Sequence, residues 1–293
     1  MTELAWDAIV GGLIRDRSQK PRDRGLTMVI DSGVGERRLL DTLEQAAAYI
    51  DHWKFAFGTS VFLTRPLLQR KLGLLADHGI LSFPGGTLLE VALVEHHCRD
   101  YMKHAKELGF SAIEISDGTI PMPAVRRRNI IACARDAGLV PITEVGKKDP
   151  RAQPSAEQMA EQALTDLEHG AEWVVMEARE SGRAVGIYDE HGQVIADTLS
   201  TLCALLGDAT ERMIWEAPMP AQQTLLIRRF GTNVGLGNIP AEQILAVECL
   251  RCRLRFDTLH WVTDELLRTG AWDPARIEPN QDDIRVTLNV WRS

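Results

Sequence analysis

Residues 111–148 read SAIEISDGTIPMPAVRRRNIIACARDAGLVPITEVGKK, and this stretch decides the fold. Two short apolar runs in it each carry an acidic residue. One is Ala112-Ile113-Glu114-Ile115 ahead of Ser116-Asp117-Gly118; the other is Pro141-Ile142-Thr143-Glu144-Val145 ahead of Gly146. Between them an amphipathic segment closes on Asp136-Ala137-Gly138. The order is strand, loop, helix, strand, the repeating unit of a parallel sheet. Strands of such sheets are covered on both faces and are almost wholly apolar. A Glu inside one is either paired or aimed into a site at the strand's carboxyl end. Two consecutive strands with the same feature favour the second reading.

The period continues in both directions. Further strands are predicted at 26–30, ending in Asp31-Ser32-Gly33, at 52–57, and at 80–83, which runs into Pro84-Gly85-Gly86-Thr87. Downstream they fall at 173–177, at 212–216 and at 232–236, the last opening into Gly237-Asn238. Helical spacing separates them, with Gly170 stopping one helix at a position that favours glycine. Eight strands alternating with helices imply a (β/α)8 TIM barrel over 27–258, with a doubly wound open sheet as the competitor. Residues 1–26 form a lead-in in which Trp6, Ile9, Val10, Leu13 and Ile14 have helical spacing. In the C-terminal extension, 259–293, a helix begun at Phe256 runs on and 283–290 alternates like an edge strand.

At 293 residues the chain is long enough for one such barrel, and 45% hydrophobic with 25% charged residues is ordinary for a soluble globular protein. A formal charge of −8 argues against nonspecific binding of nucleic acid or an anionic membrane, though not against a small anionic substrate. The five cysteines are scattered; Cys249 and Cys252 have CxxC spacing but no second pair, so reduced thiols are expected. No signal pattern or long apolar run is visible, which points to a cytoplasmic protein with no membrane partner.

On a barrel the strand ends meet at one face, where such enzymes build their sites. They contribute Asp31, Lys54, Gly85 and Gly86 with Thr87, Glu114, Glu144, Glu177 with Arg179, Glu216, and Gly237 with Asn238. Several acids beside a Lys and an Arg suit Mg²⁺, a hard ion bound by oxygen. The plainer alternative is that each Glu is a buried ion-pair partner, with Lys54 as its cation. Glu216, just before Ala217-Pro218, reads as structural. Small residues at the eighth strand suit a phosphate cradle, or simply a barrel corner. Arg126-Arg127-Arg128 reads as a solvated face, and His96 and His97 as residues without metal-ligand spacing.

Seven motifs in order then resemble the phosphosulfolactate synthase family: KFAFGTS, FPGGTLLEVA, LGFSAIEISDG, TEVGKK, EARESG, WEAP and GLGNI. The resemblance runs from about Thr27 to Thr258. It implies a magnesium-dependent barrel, a carbon–sulfur lyase that adds sulfite to phosphoenolpyruvate to give (2R)-phospho-3-sulfolactate, the first step of one route to coenzyme M. The implied catalytic residues are Lys54, Lys147 and Glu144, with Lys147 preferred over Lys54 as the proton donor. Glu114, Glu144 and Glu177 are the implied metal shell. Asp31, Gly85, Gly86, Lys148, Arg179, Gly237 and Asn238 are the implied substrate contacts, Arg179 holding phosphate or sulfite. A homo-oligomer acting on small anions is expected, without nucleic acid. Three motifs depart from the family pattern. Ser32 stands where a Lys is usual, Phe256 replaces Gly in RGDT, and KFAFGTS replaces KFGWGTS. The loss of a Lys at 32 is expected to weaken anion binding unless Lys148 compensates. Alternatives are another nucleophile with an enol phosphate, or a non-catalytic relative of the plant heat-stress-associated type.

Overall fold

The computed structural model describes residues 4–6, 9 and 16–275. The lead-in helix expected over 6–14 falls largely outside these residues, and the strand expected at 283–290 wholly so. Eight strands form one sheet: β1 (Thr27–Asp31), β2 (His52–Phe55), β3 (Leu81–Pro84), β4 (Ala112–Ile115), β5 (Val140–Val145), β6 (Trp173–Met176), β7 (Met213–Glu216) and β8 (Gly235–Pro240). Their order is β3-β2-β1-β8-β7-β6-β5-β4, every ladder parallel. The two outer strands meet through serines. Ser111 N–H donates to the Ser82 carbonyl at 3.1 Å, and Ser82 N–H donates to Ser111 Oγ at 2.8 Å. The sheet is thus a nearly closed (β/α)8 barrel.

The helices between strands are α1 (Glu36–Ala46), α2 (Arg65–Asp77), α3 (Gly86–Val94), α4 (Cys98–Leu108), α5 (Ala124–Asp136), α6 (Ala156–Glu168), α7 (Ala196–Leu206) and α8 (Pro220–Phe230), and α9 (Ile244–Arg251) follows β8. Local signals set their ends. Ser155 and Gln158 make a reciprocal capping box at the start of α6, and left-handed Gly109 (φ 108°) terminates α4. The chain divides into two compact units, Met1–Cys252 and Arg253–Ser293. The first contains the barrel. The second contains α10 (Phe256–Thr269), closed by left-handed Gly270. Among the described residues no helix is long and apolar enough to cross a membrane.

Alternation along the strands sorts side chains into two layers. Val29, Trp53, Phe55, Ile113, Ile115, Val145, Val174 and Trp215 point outward and pack with the helices in the main core. Met28, Phe83, Ala112, Ile142, Val175 and Ile214 form a separate inner cluster that fills the barrel. Two residues further along the same inward face come the charges. Glu114 follows Ala112, Glu144 follows Ile142, Glu177 follows Val175, Glu216 follows Ile214, and Lys54 follows His52. One apolar layer therefore supports one ionic layer at the carboxyl ends.

The eighth strand starts later than the spacing predicts, so Gly237 and Asn238 lie within it rather than beyond its end. A Cβ on Gly237 would stand 2.7 Å from Met28 Cε. This glycine makes room for the inner core.

Candidate active site

The ionic layer is built around two lysines. Lys54 Nζ lies 2.8 Å from Glu114 Oε1, 3.0 Å from Glu144 Oε2 and 3.1 Å from Glu216 Oε1. Lys148, on the loop after β5, reaches Glu144 Oε1 at 2.8 Å and also pairs with Glu177. Glu144 thus bridges the two ammonium groups. Main-chain donors fix the remaining carboxylate oxygens: Gly86 N–H on Glu114 (2.6 Å), Ala178 N–H on Glu216 (2.8 Å) and Arg179 N–H on Glu177 (2.6 Å). A Cβ on Gly146 would lie 2.7 Å from Glu177 Cβ, so glycine there lets the Lys148 loop pass over β6.

Above this layer opens a cavity of about 330 Å³. Lys54, Glu114, Lys148, Glu177, Arg179, Glu216 and Asn238 line it together with Gly85, Gly86 and Thr87, and Ile30, Ala56 and Phe57 supply apolar walls. Lys148 presents more of itself than Lys54 does, their side chains being 28% and 9% exposed.

Four buried carboxylates (Glu114, Glu144, Glu177, Glu216) face two ammonium groups (Lys54, Lys148), an excess of two negative charges. The protonation equilibria reflect it. Burial alone would lower the Lys54 pKa, but Glu114, Glu144 and Glu216 outweigh it and hold the ammonium charged. Burial pushes Glu114 up to about 7 against the pull of Lys54. Burial, with repulsion from Glu144 and Glu216, holds Glu177 well above the usual carboxylate range. Glu144 is equally buried, yet Lys148 and Lys54 together keep it below that range. Ligand oxygens of Glu144, Glu177 and Glu216 lie within 4.8 Å of one another. An all-oxygen set, in a layer where four carboxylates face two ammonium groups, fits one hard divalent cation.

A model of the (2R)-phospho-3-sulfolactate synthase family matches residues 15–257. The phosphosulfolactate synthase of Methanothermobacter thermautotrophicus is 40% identical over 245 residues, covering 83% of this chain and 94% of that protein. That of Bacillus subtilis is 38% identical over 248 residues, covering 83% and 95%. This chain belongs to the phosphosulfolactate synthase family. Among solved structures, 3-keto-L-gulonate-6-phosphate decarboxylase from Vibrio cholerae aligns with a TM-score of 0.50 at 11% identity, over 78% of this chain and 97% of that one. At that identity the likeness shows the barrel alone.

Most of the residues implied by the resemblance to phosphosulfolactate synthases converge on the cavity, and five positions differ from expectation. Lys147 points away from it. Its Nζ binds the Asp117 carboxylate at 2.5 Å and the Asp117 carbonyl at 2.6 Å, and Lys148 is the neighbour that lines the cavity. Asp31 lies an odd number of residues from inward-facing Met28, so it points to the helix layer. There it accepts from Trp53 Nε1 (2.9 Å) and Lys71 Nζ (2.7 Å). Glu114 stands outside the three-carboxylate cluster; Glu216, read as structural, lies within it and is 1% exposed. The motif Ile214-Trp215-Glu216 repeats the spacing of Ile142-Thr143-Glu144, and that was the available signal. Ser32 is exposed and does not line the cavity.

Arg127 also departs from expectation. It is 4% exposed and makes a bidentate pair with Asp166, reaching Asp117 at 3.1 Å and the Glu144 carbonyl at 2.9 Å. Its position in the helix, in phase with Ile130, Ile131 and Ala134, was the signal that a run of three arginines hides.

Proposed function

We propose that this chain adds sulfite to phosphoenolpyruvate to give (2R)-phospho-3-sulfolactate with the help of Mg²⁺. The observation that supports it is the floor of glutamates and lysines beneath an Arg-bearing cavity, in a chain of the phosphosulfolactate synthase family. Sulfite sulfur forms a bond to C3 of the enol phosphate while the C2–C3 π pair moves to C2 and into the carboxylate. The enediolate-like species then takes one proton at C2. Lys148 is the donor, because its ammonium is kept charged by Glu144 and Glu177 and is presented to the cavity. Arg179, at the rim, binds the phosphate or sulfite oxygens. Lys54 holds three carboxylates together from beneath. Glu144, Glu177 and Glu216 would hold the Mg²⁺, which supplies Lewis-acid stabilisation of charge on the substrate carboxylate.

Incubation of the pure protein with phosphoenolpyruvate, sulfite and Mg²⁺ is expected to give phosphosulfolactate, detected by mass spectrometry. EDTA should abolish the product and added Mg²⁺ restore it. No product across a broad range of pH and divalent metals would overturn the proposal.

A further inference from the structure

Pairing between β1 and β8 slips by one residue. Thr27 pairs with Leu236, but Val29 pairs with Ile239. Two steps on β1 are matched by three on β8, so Gly237-Asn238 form a bulge, a device that re-aims side chains next to active sites. Asn238 takes the left-handed conformation (φ 54°), and its side chain, 2% exposed, lines the cavity. Its amide has a defined orientation. Nδ2 donates to the Arg179 carbonyl at 3.3 Å, whereas Oδ1 is buried without a partner.

Arg179 is itself left-handed, at φ 60°. Such backbone in a non-glycine residue costs free energy and persists only where the surroundings over-determine it. Here Glu177 holds the Arg179 N–H at 2.6 Å and Asn238 holds its carbonyl. Of the three cations lining the cavity, Lys54 and Lys148 are paired to buried glutamates. Arg179 instead pairs with Glu180 at 3.6 Å, both side chains 40% or more exposed. Its charge is the least committed of the three.

We infer that Asn238 is a positioning residue: by holding the strained carbonyl of residue 179 it sets the Arg179 guanidinium as the oxyanion-binding group of the cavity. This rests on the anionic-substrate reading of the same cavity, and deepens it by assigning oxyanion recognition to a pair.

The test is a double-mutant cycle read by calorimetric titration of the full chain with inorganic phosphate and, separately, phosphoenolpyruvate. The variants are Asn238→Gly, Arg179→Gln and the double. Glycine tolerates the left-handed backbone and removes the amide. Loss of a charge-assisted contact should weaken phosphate binding by about tenfold in Arg179→Gln. Asn238→Gly should weaken it by a similar factor, and the double no further than Arg179→Gln, because one residue acts through the other. If product forms, Asn238→Gly raises KM with little change in kcat. Additive losses in the double, an unchanged affinity in Asn238→Gly, or an unchanged or absent phosphate affinity across wild type and Arg179→Gln would each overturn the inference. The expected cycle with phosphate, in a protein that makes no phosphosulfolactate, would sink the reaction proposal and leave this inference standing.

Discussion

Lys54 pairs with Glu114, Glu144 and Glu216, all within 3.1 Å, and donates hydrogen bonds to the last two. Lys148 is paired twice and partly exposed, which is why the proton donor is assigned to it and not to the deeper lysine. Lys148→Ala is therefore expected to lower kcat by roughly 10²–10⁴, the range for removal of a general acid. A far-ultraviolet dichroism spectrum unchanged from wild type would show that the fold survives. If kcat falls less than threefold, the donor is another group. Glu216→Gln keeps the shape of the cluster but removes one of its three charges. Its half-saturating Mg²⁺ concentration should rise about tenfold or more, given how strongly such sites respond to altered ligands. An unchanged Mg²⁺ titration would return Glu216 to a structural role.

At the scale of elements, strand alternation and helix phase decide which side chains can meet. On β4 to β7 the inward face carries an apolar residue first and a glutamate two positions later, so the site needs no special loop to gather its acids. What ties the strand ends to the outer helices is Arg127 on α5, which joins Asp166 of α6, Asp117 after β4 and the Glu144 carbonyl in β5. Arg127→Leu leaves buried Asp166 without its cation and Asp117 with Lys147 alone. Breaking a buried pair in this way costs about 3–5 kcal/mol, which urea denaturation would read as a lower midpoint. A variant as stable as wild type would mean that the aspartates find other partners. Lys147, also on Asp117, is the obvious one to watch.

Across the whole molecule, the two ends of the barrel respond to protons differently. The carboxyl end concentrates glutamates, whereas the opposite end buries His52, at the start of β2, with rings of Phe83 and Trp173 against it. Burial first, and then the nearby Lys20 charge, lower the His52 pKa to about 3. The unfolded chain therefore takes up this proton at higher pH than the folded one. The stability that neutral His52 contributes is present above the unfolded pKa of about 6.5 and is lost as pH falls towards 3, at up to about 1.4 kcal/mol per pH unit. Denaturant midpoints between pH 7 and 4 should fall less steeply in His52→Phe than in wild type. Parallel curves for the two proteins would exclude His52 as a source of the acid sensitivity.

Much of this was legible in the sequence because it depends on local order. Alternating strands and helices require a parallel sheet, and eight of them at this length close into a barrel. Period two within a strand then places Glu114, Glu144 and Glu177 on one face with Lys54. The ordered motifs supplied the family. The choice between neighbours was not legible, because it depends on contacts between residues far apart in the chain. Lys148 rather than Lys147 enters the cavity because Asp117, thirty positions earlier, captures the latter. Glu216 completes the acidic cluster because β7 brings it within 4.8 Å of Glu144 and Glu177. Arg127 is buried because α5 turns it towards Asp166. Asn238 faces Arg179 because the β1–β8 register slips at a bulge. Period and composition fix which face a residue is on; only the packed barrel fixes which partner it meets there.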